Sequence, residues 1–124
     1  MDKVLISCAL LSAVDGDTIT CDGQNFRLLG DGQPFVSGVD APELGARSGC
    51  LAEDKLGQAA RARTADLLGL PGLLIVDSGK VDLFGRPLVR VELPDGKTIG
   101  ATLIAEDLAR PWVPGAAPPW CETP

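Results

Sequence analysis

The sequence predicts a mainly β domain with added helices (β+α), and three observations carry that prediction. Fifteen glycines and ten prolines punctuate short runs of β-branched residues and leucine, the pattern of short strands joined by tight turns. One long stretch, Leu51–Leu68, departs from it and places apolar residues near helical spacing. The 124 residues are 45% hydrophobic and 23% charged, which suits one globular domain over residues 1–124 with its own core.

In chain order, Lys3–Val14 is apolar nearly throughout and reads as a first strand, turned by Asp15-Gly16-Asp17. Thr18–Cys21 is a second strand, Asp22-Gly23 a hairpin turn and Asn25–Leu29 a third strand. Gly30 to Pro34 and Ser37-Gly38 make a loop around Phe35-Val36, and Val39-Asp40 ends a further short strand. The main helix, Leu51–Leu68, has Ser48 near its N-cap, acids in its first turn and Gly69 with Pro71 as its stop. Its leucines and alanines (Leu51, Leu56, Ala59, Ala60, Ala62, Leu67, Leu68) are expected to be core. Gly72–Asp77 is a strand, Ser78-Gly79-Lys80 a turn, Pro87–Leu93 a strand and Ile99–Leu108 a short helix. Pro111, Pro114, Pro118 and Pro119 keep the tail extended. Five principal strands, a helix between the third and fourth and a short helix after the fifth is the order of a five-stranded OB barrel.

The candidate site is concentrated between Val14 and Glu43. Asp15, Asp17, Arg27, Asp40 and Glu43 fall there among apolar, glycine-punctuated sequence. Carboxylates gathered with an arginine suit a hard cation and a phosphate. The chain has no histidine and no CxxC pair, so zinc would need four scattered thiolates. Four cysteines fit two disulfides and an oxidising compartment. Cys8 and Cys21 flank the Asp15-Gly16 turn, and Cys50–Cys121 would tie the middle of the chain to its tail; four buried thiols are the competing state. The net charge of −6 argues against holding nucleic acid by broad phosphate neutralisation and leaves a local basic pocket as the alternative. No apolar run approaches a membrane span. The apolar start runs straight into Asp15 and Asp17, so it is not read as a removable signal, and Met1 is expected to stand where an export signal has been replaced.

Ordered motifs resemble one family, that of staphylococcal nuclease or thermonuclease. They are Val14-Asp15-Gly16-Asp17-Thr18-Ile19, Phe26-Arg27-Leu28-Leu29-Gly30, Val39-Asp40-Ala41-Pro42-Glu43, Asp82-Leu83-Phe84-Gly85-Arg86-Pro87-Leu88 and Leu103-Ile104 through Arg110. The resemblance covers about residues 8–121. It implies an OB-fold, calcium-dependent phosphodiesterase that hydrolyses single-stranded DNA or RNA with little sequence preference and leaves 3′-phosphate ends. Asp17, Asp40 and the Ala41 carbonyl would hold calcium, and Asp15 would orient its ligands or waters. Glu43 would act as general base or position the water, and Arg27 and Arg86 would clamp the phosphate. A monomeric, secreted or periplasmic enzyme without membrane attachment is expected. The chain differs from the family in the eight-residue segment Asp31–Gly38 and in having no tyrosine, with Phe84 at a position where the family often has one and Trp112 and Trp120 left to stack on bases. A nuclease-like domain of little or no activity that binds single strands or a protein partner is the alternative, and a module that retains only the fold is a third.

Overall fold

The computed structural model describes residues 4–30, 38–113 and 119–121. A six-stranded sheet carries the molecule, in the order β1 (Val4–Ile6), β6 (Leu74–Val81), β7 (Pro87–Glu92), β4 (Gln24–Leu28), β3 (Thr18–Cys21), β2 (Leu11–Ala13). A two-stranded pair, β5 (Val39–Asp40) with β8 (Arg110–Pro111), stands beside it. The helices are α1 (Leu51–Leu68) and α2 (Ile99–Ala105). The fold is thus mainly β with two helices, as the glycine and proline punctuation predicts.

The expected first strand is two strands. Val4–Ile6 pairs with β6 and Leu11–Ala13 with β3, so one short stretch of chain supplies both edges of the sheet. In a flat sheet those edges would lie about 24 Å apart, five spacings of about 4.8 Å. Five residues of extended chain reach only about 18 Å. The sheet must therefore curl, and the Cys8–Cys21 disulfide secures the bend. At the β3–β4 hairpin, Asp22 (φ 50°) and Gly23 (φ 88°) both adopt the left-handed conformation that a tight two-residue turn requires.

Three further expectations need correction. Ser78-Gly79-Lys80 is not a turn between elements but lies inside β6, where the register slips between Asp77 and Val81. The Asp77 carboxylate accepts the Gly79 N–H and the Ser78 hydroxyl the Lys80 N–H, so turn-like bonds are absorbed as a bulge. The second helix stops at Ala105, short of Leu108, as Asp107 takes a positive φ of 61°. The third concerns α1, whose bounds agree with the expectation but whose buried face agrees with it only at Ala60 and Leu67. Glu53, Gly57, Ala60, Thr64 and Leu67 face inward while Leu51 is 68% exposed and Ala59 and Ala62 face solvent. Its N-cap is Cys50, whose sulfur accepts the Glu53 N–H, and Ser48 instead closes the 3₁₀ turn Gly45–Arg47 through Gly45 O.

The core gathers Ile19, Phe26, Leu28, Val39, Val89, Val91, Ile99 and Leu103 between the curled sheet and the helices. Most of the eight-residue segment, residues 31–37 with Phe35-Val36, and the tail prolines Pro114 and Pro118 lie outside the described residues. Pro119–Cys121 forms a 3₁₀ turn, joined to α1 by the Cys50–Cys121 disulfide. No helix among the described residues is long and apolar enough to cross a membrane.

Candidate active site

Strand register brings the site together. Thr18 on β3 pairs with Arg27 on β4, and Arg27 pairs with Leu88 on β7, two residues beyond Arg86. Asp17 precedes Thr18, so three adjacent strands deliver Asp17, Arg27 and Arg86 to one place. The Asp15-Gly16-Asp17 turn is pressed against α1. A Cβ on Gly16 would lie 2.8 Å from the Cβ atoms of both Ala41 and Ala60, and Thr64 donates from its hydroxyl to Gly16 O at 2.9 Å. Only glycine lets the two acids approach the helix so closely.

A cavity of about 420 Å³ is lined by Asp15, Asp17, Thr18, Arg27, Glu43, Arg47, Phe84 and Arg86. Asp17 is 3% exposed. Its Oδ2 accepts the Ala41 N–H at 2.9 Å and stands 3.4 Å from Arg27 Nη2, and its Oδ1 accepts from the Thr18 hydroxyl. Burial pushes the Asp17 carboxyl up to about 7, Arg27 pulls it down, and the neighbouring Asp15 raises it again by charge and by hydrogen bonding. The Glu43 carboxyl is also raised, chiefly by burial and then by the charge of Asp17, with Arg47 and Arg27 opposing.

The two expected guanidinium groups are held in place by different partners. Arg27 donates to Val39 O at 2.7 Å. Arg86 Nε lies 2.6 Å from Asp82 Oδ2, its Nη1 reaches Thr18 Oγ1 at 3.4 Å, and its guanidinium stacks 5.4 Å from the Phe84 ring centre. Burial works to raise Asp82, but hydrogen bonds from the Arg86 backbone and side chain and from the Phe84 N–H outweigh it and hold its carboxyl below the usual range.

No protein-family model and no curated protein matches the chain.

Of the residues singled out in the sequence, Asp15, Asp17, Arg27, Glu43 and Arg86 share the cavity. Asp40 is not among its lining; its Oδ2 accepts from the Arg110 guanidinium at 3.2 Å across the β5–β8 pair. Ala41 meets the site through its backbone N–H on Asp17. No group of three or more acids or cysteines able to hold a metal ion occurs among the described residues.

Two groups escape the motif reading. Arg47 is a third cavity guanidinium, exposed at the end of the 3₁₀ turn. Its sequence signal is faint, a lone cation four residues past Glu43 among glycines. Thr18 supplies a buried hydroxyl that links Asp17 to Arg86. Beside this cavity a second hollow of about 410 Å³ shares Arg27, Phe84 and Arg86 and adds Leu28, Leu88 and Trp112. Phe84 is 83% exposed on its rim.

Proposed function

We propose that this protein is a calcium-dependent phosphodiesterase of the thermonuclease type, acting on single-stranded DNA or RNA, and that its curled sheet is an OB-type barrel. In that barrel β1 and β2 are two halves of one strand, which pairs with both edges as closure requires. The observation that carries the reading is one cavity holding a buried acid pair, a carboxyl with raised proton affinity and three guanidinium groups. Positive groups for a phosphate and a base for a water are what in-line phosphodiester hydrolysis needs.

The donors suit a hard cation in part. Asp17 and Asp15 offer only oxygen, and an acid buried to a pKa of about 7 gains from a cation beside it. Asp17 would hold the ion with Asp15 in support, the remaining ligands being water and substrate phosphate, and Asp40 would join only by releasing Arg110. When bound, calcium supplies positive charge against the acids and the phosphate. Arg27 and Arg86 donate to the non-bridging phosphoryl oxygens as charge builds there. Glu43 takes a proton from the water whose oxygen bonds to phosphorus, the bond from phosphorus to the 5′-oxygen breaks, and that oxygen takes a proton from solvent. A 3′-phosphate end remains. The base of the bound nucleotide lies in the neighbouring apolar hollow against Phe84 and Trp112, by stacking rather than by phenolic hydrogen bonds.

One observation favours a second reading. Asp40 is committed to Arg110, which leaves the acid set short for a cation and suits a module that binds single strands without cutting them. Cleavage of single-stranded DNA and RNA, measured with calcium and with chelator in excess, separates the two. Cleavage that requires calcium supports the enzyme, and binding without cleavage by folded protein in calcium supports the module.

A further inference from the structure

We propose, on the reading that Glu43 is the base, that Glu53 is its positioning residue. Glu53 is an acid on the first turn of α1 and only 7% exposed. Its partners are backbone amides. Oε2 accepts the Glu43 N–H at 3.0 Å and Oε1 the Gly49 N–H at 2.7 Å, so one carboxylate clips both ends of the segment 43–49. That segment carries Glu43 and Arg47, both on the cavity wall.

The Glu43 carboxylate itself has no hydrogen-bond partner among the described residues, so its place is set through its backbone. Glycine at position 57 completes the grip from the carbonyl side. A Cβ there would come within 2.7 Å of Glu43 O, so α1 lies directly against that carbonyl. The Cys50–Cys121 disulfide lies against Glu53. Cys50 Sγ accepts the Glu53 N–H at 3.4 Å, and Cys121 Sγ lies 3.6 Å from Glu53 Oε1. A buried carboxylate is costly to desolvate and is retained where both oxygens meet donors whose geometry matters.

The test pairs Glu53→Gln with hydrogen exchange of the Glu43 and Gly49 amides. Glutamine keeps the shape but offers one oxygen and one NH₂, so it cannot accept from both amides. We expect both amides to be protected in the wild-type protein and at least one to exchange freely in Glu53→Gln. On single-stranded DNA with calcium, kcat should fall on the order of 10- to 100-fold, the scale of a misplaced catalytic group, with KM within about threefold. Unprotected amides in the wild type overturn the proposal without recourse to any variant. So does a variant that keeps kcat within twofold after the Glu43 amide has been released. Glu43→Gln cleaving as fast as wild type would instead remove Glu43 as base, while the exchange data still decide whether Glu53 holds the segment.

Discussion

Burial raises the Asp17 carboxyl to about 7 although Arg27 Nη2 stands 3.4 Å away, so desolvation outweighs the ion pair at this residue. The sign of its linkage follows. In the unfolded chain Asp17 ionises near 3.8, whereas in the folded protein it keeps its proton to about 7. Its contribution is fully present below pH 3.8 and is lost as pH rises towards 7, a deficit of a few kcal/mol that then levels off. In chelator, denaturant unfolding of Asp17→Asn should gain stability relative to wild type across that window. Calcium should restore the wild type and leave the variant unmoved. A constant difference between the two from pH 4 to pH 8 would contradict the assignment.

Helix α1 shows how much of an element its sequence discloses. Its ends were legible because first-turn acids and the Gly69 and Pro71 stop are local signals. Its buried face was legible only at Ala60 and Leu67, because the other three inward positions are Glu53, Gly57 and Thr64, which serve close approach and hydrogen bonds rather than apolar bulk. The same holds for the site. That Asp17, Arg27, Glu43 and Arg86 lie together could be read from local motifs, whereas Arg47 on the cavity wall, the Glu53 contacts with the Glu43 and Gly49 amides and the Asp40 pairing with Arg110, which spans seventy positions, exist only in the folded chain. Gly57→Ala tests that docking. The opposing atom is a backbone carbonyl 2.7 Å from the new Cβ and cannot swing aside, so thermal unfolding should report a loss of about 1–3 kcal/mol. A variant as stable as wild type would show that α1 is free to move.

Across the whole molecule, a net charge of −6 surrounds a small cavity in which three arginines stand among three acids. On the proposed function, capture of a strand would depend on three guanidinium groups rather than on a broad surface. With about 0.7 counterion released per phosphate contact on single strands, the logarithm of affinity should fall with the logarithm of salt at a slope near −2, and nearer −1.4 in Arg47→Ala. A slope that this variant leaves unchanged would remove Arg47 from the contact. Two disulfides frame the same molecule, one bending the sheet at Cys8–Cys21 and one anchoring the tail to α1 at Cys50–Cys121. The first lies at the end of the β2–β3 pair away from the acid turn, and the second lies beside the N-terminus of α1.

On the proposed function Glu43 takes the proton in phosphodiester cleavage, and the decisive measurement is the rate of single-stranded DNA cleavage by Glu43→Gln at saturating calcium. Turnover lower than wild type by about 100-fold or more, with strand binding retained, is the predicted result. Equal rates would remove Glu43 as the base, and a wild-type protein that binds the strand and never cuts it would not be a phosphodiesterase.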